Sequence, residues 1–148
     1  MLIKNILVPY DGSPLSKKAL DLAKDIARNF NADLKLLMVI PVYYPMSDSV
    51  YPGPAVMNYQ QVVKSLKEQG EKEIKKITEK CREEGAKASY KVVYDDISNA
   101  ILKEAKKSKI NLIVMGSRRL TGVSSIKRLG STARHVSEHA SCPVTIVH

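Results

Sequence analysis

Apolar residues lie along this chain in two kinds of segment, short continuous runs and longer stretches with helical spacing. Continuous apolar runs that stop at Pro or Gly are typical of strands covered on both faces of a sheet. A weaker alternation at residues 87–93 also favours a strand. We therefore predict five strands, at residues 2–8, 34–40, 87–93, 110–115 and 143–147.

Helical spacing begins directly after the first strand. Ser13 offers an N-cap and Pro14 occupies the first helical position, which together predict the start of a helix. We expect this helix to end within residues 29–31. Its core-facing residues are predicted to be Ala19, Leu22, Ala23, Ile26, Ala27 and Phe30.

Three further helices are predicted between the remaining strands. Residues 58–84 form a long amphipathic segment with Gly85 as its C′ residue, and the prolines within residues 41–57 predict a long loop before it. Shorter helices are expected at residues 97–107, where Asp95 and Asp96 mark the start, and 130–140. The expected core-facing residues are Tyr59, Val62, Val63, Leu66, Ile74, Ile77 and Cys81 in the long helix, and Ala100, Ile101 and Ala105 in the next.

The alternation of strands and helices determines the predicted fold class. Five strands joined by helical crossovers specify an α/β fold with a doubly wound parallel sheet, and 148 residues suffice for a single domain, residues 1–148. Ligands of such sheets bind beyond the carboxyl ends of the strands, where the winding direction reverses. Candidate site residues are therefore expected within residues 9–13, 39–41 and 115–132.

Composition and charge narrow the function classes. The 44% hydrophobic and 26% charged residues are typical of a globular protein, and no apolar run is long enough for a membrane span. Because no positively charged segment precedes the first apolar run, we expect a cytoplasmic protein. The formal charge of +9 favours a polyanionic ligand, namely a nucleotide, a nucleic acid or an acidic membrane. The 5% of aromatic residues, without Trp, argue against base-stacking surfaces.

Few side chains form a recognisable catalytic or metal-binding arrangement. Cys81 and Cys142 lack the spacing of a disulfide framework or a zinc site, so we expect both to pack in the core. His135 and His139 lie one helical turn apart, which suits two metal ligands, but no third ligand is evident and surface packing is the alternative. No catalytic triad or carboxylate pair is found, so at most slow hydrolysis is expected. Tyr43, Tyr44, Tyr51 and Tyr59 flank the proline-rich loop as a lid, a partner surface or a cover for the sheet edge.

The segment from Gly116 to Thr132 is the strongest candidate for binding chemistry. It places glycines and hydroxyl residues after a strand and leads into a helix, whose first turn has free backbone donors for a phosphate chain. It matches neither the Walker A sequence nor the Gly-x-Gly-x-x-Gly fingerprint. A flexible loop with a glycine turn is therefore an equally good interpretation.

Three segments carry a resemblance to a known family. They are residues 6–13 (Ile-Leu-Val-Pro-Tyr-Asp-Gly-Ser), 111–118 (Asn-Leu-Ile-Val-Met-Gly-Ser-Arg) and 139–144 (His-Ala-Ser-Cys-Pro-Val). Together they resemble the universal stress protein family, specifically its ATP-binding branch. The signature of that branch, Gly-x2-Gly-x9-Gly-(Ser/Thr), matches at Gly116, Gly130 and Ser131. Arg119 stands at the second glycine, and ten residues instead of nine separate it from Gly130. Arg119 either moves the loop away from the phosphates or lends them a guanidinium, and Gly122 could restore the turn.

The resemblance also implies a Rossmann-like, adenine nucleotide α-hydrolase-like sandwich that binds ATP, with any Mg²⁺ carried on the phosphates. Taken alone, Asp11 suits ribose hydroxyls, a metal-bound water or a turn before Ser13, and Val39 suits plain core packing. The implied nucleotide-binding residues are Pro9, Tyr10, Asp11 and Val39 around the adenosine, Met115 and Gly116 at the pocket floor, and Arg118, Arg119, Gly130, Ser131 and Thr132 at the phosphates.

We therefore expect an ATP-binding, homodimeric regulator of the stress response. The alternatives are a dimeric interaction module of the same family without nucleotide and, with less support from the scattered lysines, a basic nucleic-acid-binding domain. In the strand order 3-2-1-4-5, the last strand lies at a sheet edge and could pair antiparallel with a second copy. Thr145→Pro is expected to remove a backbone donor from that edge.

Overall fold

Nine helices and strands follow one another in strict alternation in the structure, a computed structural model that describes residues 2–42, 54–117 and 129–148. The elements are β1 (Asn5–Pro9), α1 (Pro14–Phe30), β2 (Asp33–Pro41), α2 (Pro54–Glu83), β3 (Lys87–Asp95), α3 (Ile97–Lys107), β4 (Leu112–Gly116), α4 (Ser131–His139) and β5 (Val144–Val147).

The five strands form one parallel sheet in the order β3-β2-β1-β4-β5, which confirms the predicted fold class and strand order. Successive residues of a strand point to opposite faces, so each face of the sheet has its own core. Ile6 and Val8 of β1 pack with α1 and α2 on one face, whereas Leu7 packs with α3 and α4 on the other.

The helix ends follow from local residue chemistry. Ser13 caps α1 by accepting a hydrogen bond from the Ser16 amide, and Pro14 is its first residue, as predicted. Asn31 ends α1 in the left-handed conformation with φ of 53°. Gly85 follows α2 with φ of +90°, which only glycine adopts without strain, and Asp96 caps α3.

Some predicted core positions are wrong. In α1, Leu22 and Phe30 are exposed, although the remaining predicted positions are at least partly buried. In α2, Val62 and Leu66 are about half exposed. This helix has 30 residues and is roughly 45 Å long. It packs against strand β3, which has nine residues and is shorter. The sheet therefore cannot cover one face of the helix along its whole length.

Two predicted boundaries also need correction. Strand β1 starts at Asn5 and not at Leu2, because the amides of Lys4 and Asn5 donate to the Asn111 side chain and leave the preceding residues outside the sheet. Helix α2 begins at Pro54 inside the predicted loop, since proline is compatible with the first turn of a helix. Other boundaries differ from the predictions by no more than two residues.

The hydrogen-bond register of β5 corrects the expectation for Thr145. Ile113 donates to the Pro143 carbonyl, and Ser117 donates to the Val147 carbonyl. Because polar groups of a strand alternate between its two sides, the backbone N–H of Thr145 points toward β4 and into the sheet. Val144 and Ile146 are the residues whose backbone groups face the open edge.

A buried ionic network attaches α3 to the sheet. Glu104 is 3% exposed and forms ion pairs with Lys35 of β2 and Lys91 of β3, the latter at 2.6 Å. Ser108 donates to the same carboxylate at 2.6 Å. Burial alone would raise the pKa of Glu104, but the hydrogen bonds from both lysines and Ser108 lower that pKa to about 2. The carboxylate is therefore ionised at neutral pH and holds α3 in place.

Candidate functional site

A cavity of about 460 Å³ opens at the carboxyl ends of the central strands. Strand β1 has β2 on one side and β4 on the other, so the winding direction reverses here, as predicted for a ligand site. Three helices begin around the opening. The lining residues are Pro9, Tyr10, Asp11, Ser13, Ser16, Leu37, Val39, Ile97, Ile101, Met115, Gly116, Ser117, Gly130, Ser131, Thr132 and Ala133.

The structure brings together the predicted site residues that it describes. Arg118, Arg119 and Gly122 lie outside the described residues, as do Tyr43, Tyr44 and Tyr51. The nucleotide-binding roles of the gathered residues stay predictions. The predicted residues that line this cavity are Pro9, Tyr10, Asp11, Val39, Met115, Gly116, Gly130, Ser131 and Thr132.

The start of α4 supplies backbone donors to this cavity. Its N-cap is Gly130, which has no side chain to cap the helix, and Ser131, Thr132 and Ala133 of its first turn line the cavity. The N–H of Gly130 itself donates to the Ser117 carbonyl at 2.8 Å, so the donors expected for an anion are those of the next three residues. Gly130 therefore lines the cavity without a free N–H to offer.

The start of α1 is capped by a side chain, in contrast to that of α4. The Asp11 carboxylate accepts a hydrogen bond from the Ser13 amide at 3.0 Å, and the Ser13 hydroxyl accepts one from the Ser16 amide at 3.2 Å. Pro14 has no N–H to offer. Asp11 therefore does form the turn before α1, while it also lines the cavity. The predicted turn at Asp11 is confirmed, and its contact with a ligand stays a prediction.

Gly116 brings β4 close to α1. A Cβ atom placed on Gly116 would lie 2.8 Å from the Cβ of Leu15 and 3.1 Å from its carbonyl carbon. The φ of Gly116 is not in the left-handed region, so the glycine is needed for close packing and not for a special backbone conformation. The first glycine of the signature thus has a structural role in addition to any contact with a ligand.

Tyr10 reaches the cavity and the core at the same time. It lines the cavity, but its side chain is 2% exposed and packs in the core on the α1 and α2 face. Its hydroxyl has no hydrogen-bond partner among the residues that the structure describes. Burial, together with the negative charges of Glu73 and Asp11, raises the pKa of Tyr10, so the phenol stays neutral.

One wall of the cavity is apolar and comes partly from a helix that the sequence analysis did not assign to the site. Leu37, Val39 and Met115 come from the strands, and Ile97 and Ile101 come from α3. The sequence held a usable signal for these two isoleucines, because a helix that follows β3 must start at the same edge of the sheet. The other unpredicted lining residues are Ser13, Ser16, Ser117 and Ala133.

The rest of the described residues bear on metal binding, on membrane spans and on the two cysteines. No group of three or more His, Cys, Asp or Glu side chains in residues 2–42, 54–117 and 129–148 is arranged to hold a metal ion. No helix within these ranges is long and apolar enough to cross a bilayer. Cys81 is buried, Cys142 packs against the α3 and α4 core, and burial raises the pKa of both thiols, as expected for packing residues.

Comparison with known proteins identifies the family. The universal stress protein family matches residues 2–148. Universal stress protein MJ0531 of Methanocaldococcus jannaschii is 35% identical over 147 residues, which cover 99% of this chain and 82% of that protein.

Solved structures agree with this match. The structure of universal stress protein UspA from Lactobacillus plantarum has a TM-score of 0.80 at 27% identity and covers 100% of this chain and 99% of its own. A universal stress protein in complex with cAMP has a TM-score of 0.68 at 25% identity, with 100% and 99% covered. This chain belongs to the universal stress protein family.

Proposed function

We propose that this protein binds ATP in the cavity at the carboxyl ends of β1, β2 and β4, and acts as a homodimeric, nucleotide-dependent regulator of a stress response. The observation that carries the proposal is the combination, in one cavity, of an apolar wall and the uncapped start of α4. An adenine suits the apolar wall, and a phosphate chain suits the backbone donors.

Three further observations support a nucleotide as the ligand. The cavity volume of about 460 Å³ lies within the range of small-molecule sites, about 300–1,000 Å³. The net charge of +9 favours an anion over a neutral ligand. A related universal stress protein was solved in complex with cAMP, which shares its adenosine with ATP.

The cavity supports binding better than catalysis. Among the described lining residues, Asp11 is the single carboxylate, and its Oδ1 atom already accepts the Ser13 amide. Hydrolysis of ATP needs a positioned water and a group that neutralises the developing charge. We therefore expect a regulator that hydrolyses ATP slowly or not at all.

Two measurements on the purified chain test the proposal. Denaturation of protein prepared without added nucleotide should release an adenine nucleotide, identified by absorbance and chromatography. Calorimetry at near-physiological salt should give a saturable signal with ATP, and GTP serves as the matched control because it changes only the base. If no nucleotide is released and millimolar ATP gives no saturable heat, the chain is an interaction module without nucleotide.

A further inference from the structure

Helix α4 carries a pair of adjacent histidine side chains on its exposed surface, away from its first turn at the cavity. The four-residue spacing of His135 and His139 places both on one face of the helix. Their imidazole rings are stacked, with the centroids 4.2 Å apart and an angle of 21° between the ring planes. Both side chains are exposed, so an ion in solvent can reach them.

We propose that His135 and His139 form a two-histidine site for a divalent transition-metal ion of the Zn²⁺, Ni²⁺ and Cu²⁺ class. Neutral imidazole nitrogen is a preferred ligand of these ions, whereas Mg²⁺ and Ca²⁺ prefer oxygen. Two histidines four residues apart on a helix are the spacing with which metalloprotease helices bind zinc.

The hydrogen bonding of His139 prepares one ring nitrogen for a metal. The Nδ1 atom of His139 lies 2.9 Å from the carbonyl oxygen of His135. A carbonyl oxygen can only accept, so Nδ1 carries the proton and Nε2 of a neutral ring keeps its lone pair. Metal-bound histidines commonly make this hydrogen bond with the nitrogen that does not bind the ion.

Stacking places the two imidazoles within reach of a single ion, with 4.2 Å between the ring centroids. Two nitrogens bound to one ion at about 2.0–2.1 Å lie roughly 3 to 3.5 Å apart in tetrahedral geometry. Because the lone pair of a ring nitrogen lies in the ring plane, chelation requires the stacked rings to turn until both lone pairs point at the ion. Helix α4 ends at His139, where the carbonyl end of the helix favours a cation.

The neighbouring side chains define what kind of site this is. Arg134 and Glu138 of α4 contribute opposite charges. Since no cluster of three potential ligands occurs in the described parts of the chain, water completes the coordination. The site is therefore open and exchangeable, unlike a closed structural zinc site.

Nickel titration of the untagged, full-length chain tests the proposal by NMR. The chain contains three histidines, so their ring signals can be assigned with single His→Gln variants. Paramagnetic Ni²⁺ at substoichiometric amounts should broaden the His135 and His139 signals together and leave the His148 signal sharp. Parallel broadening of all three signals would show that the histidines bind Ni²⁺ separately, and the proposal would be wrong.

Calorimetry with NiCl₂ gives a second, independent readout. His139→Gln should weaken Ni²⁺ binding at least tenfold because it removes one of two ligands, and His148→Gln should leave the affinity unchanged. MgCl₂ should give no saturable heat. Circular dichroism verifies that the exposed substitutions preserve the fold. Unchanged Ni²⁺ affinity in a His135→Gln/His139→Gln double variant would place the ion elsewhere and overturn the proposal.

Discussion

At the scale of single residues, Gly116 has a role that its place in a ligand-binding signature does not reveal. Any side chain at this position meets Leu15 at the start of α1, at 2.8 Å from its Cβ and 3.1 Å from its carbonyl carbon. Backbone atoms cannot move aside as a side chain can. Gly116→Ala should therefore lower the free energy of unfolding by about 1 to 3 kcal/mol, measured by urea denaturation.

Gly70→Ala is the matched control for this prediction. A Cβ on Gly70 would lie 2.6 Å from the sulfur of Met38, which is the flexible part of a long side chain. Gly70 also lies inside α2, where alanine is favoured over glycine by up to about 1 kcal/mol. The control should be neutral or stabilising, and equal losses in both variants would contradict the packing explanation.

Glu104 makes the stability depend on pH in a defined window. Its pKa falls from an ordinary 4.5 to about 2 in the folded protein, so its contribution is fully present above pH 4.5 and is lost as the pH falls toward 2. A pKa change of this size corresponds to about 3 kcal/mol. Glu104→Gln should lower the free energy of unfolding by about 2 to 3 kcal/mol at pH 7, and the two proteins should converge near pH 2.

Denaturation curves between pH 2 and pH 7 measure this effect. Glu79→Gln, which removes an exposed carboxylate from α2, is the control and should follow the unsubstituted protein. If Glu104→Gln shows the same loss of stability at pH 2 as at pH 7, the effect comes from altered packing and not from the charge of Glu104.

At the scale of elements, the sequence predicts structure best where the cause is local. The start of α1 at Pro14 and its end beside Asn31 follow from caps and turns within a few residues. The exposure of the Val62 and Leu66 side chains could not be predicted. Helical spacing indicates which residues share a face of the helix but not how far the neighbouring sheet extends. Glu104 was not predicted either, since its lysine partners come from β2 and β3, far away in the sequence.

The candidate site likewise contains features that the sequence predicts and features that depend on distant parts of the chain. Residues at strand ends were predictable because parallel strands bring their carboxyl ends to one edge, and the described ones do line the cavity. The start of α3 at that edge was predictable as well, but the tertiary structure is needed to show that Ile97 and Ile101 are the side chains that reach the cavity. The hydrogen bond from the Gly130 N–H to the Ser117 carbonyl was likewise not predictable, because no spacing rule relates these two residues.

The first turn of α4 is the element in which phosphate binding can be tested directly. Gly130 has φ of −63° and ψ of 156°, an extended conformation that valine also adopts, so Gly130→Val introduces bulk at the cavity without backbone strain. It should weaken ATP binding more than tenfold, about 1.4 kcal/mol, in calorimetry. Ser137→Val, an exposed change in the same helix, should leave the affinity unaltered. A folded Gly130→Val protein with full affinity would place the phosphates elsewhere.

At the scale of the whole molecule, the open edge of the sheet is the basis of the proposed homodimer. Strand β5 lies at one edge, and in the described residues it pairs with β4 alone. The register turns the backbone groups of Val144 and Ile146 toward the open edge, while those of Thr145 are used inside the sheet. An antiparallel pairing of two β5 strands about a twofold axis would satisfy both open edges.

Ile146→Pro tests this dimer better than Thr145→Pro, because it removes an edge-facing N–H and leaves the hydrogen bonds between β4 and β5 intact. We expect the unsubstituted protein to sediment as a dimer at tens of micromolar and Ile146→Pro to shift toward monomer. Ile146→Ala is the control, since it shortens the same partly buried side chain but keeps the backbone donor, and it should stay closer to the dimer. A monomeric unsubstituted protein, or equal dissociation of both variants, would show that the backbone edge of β5 does not hold two copies together.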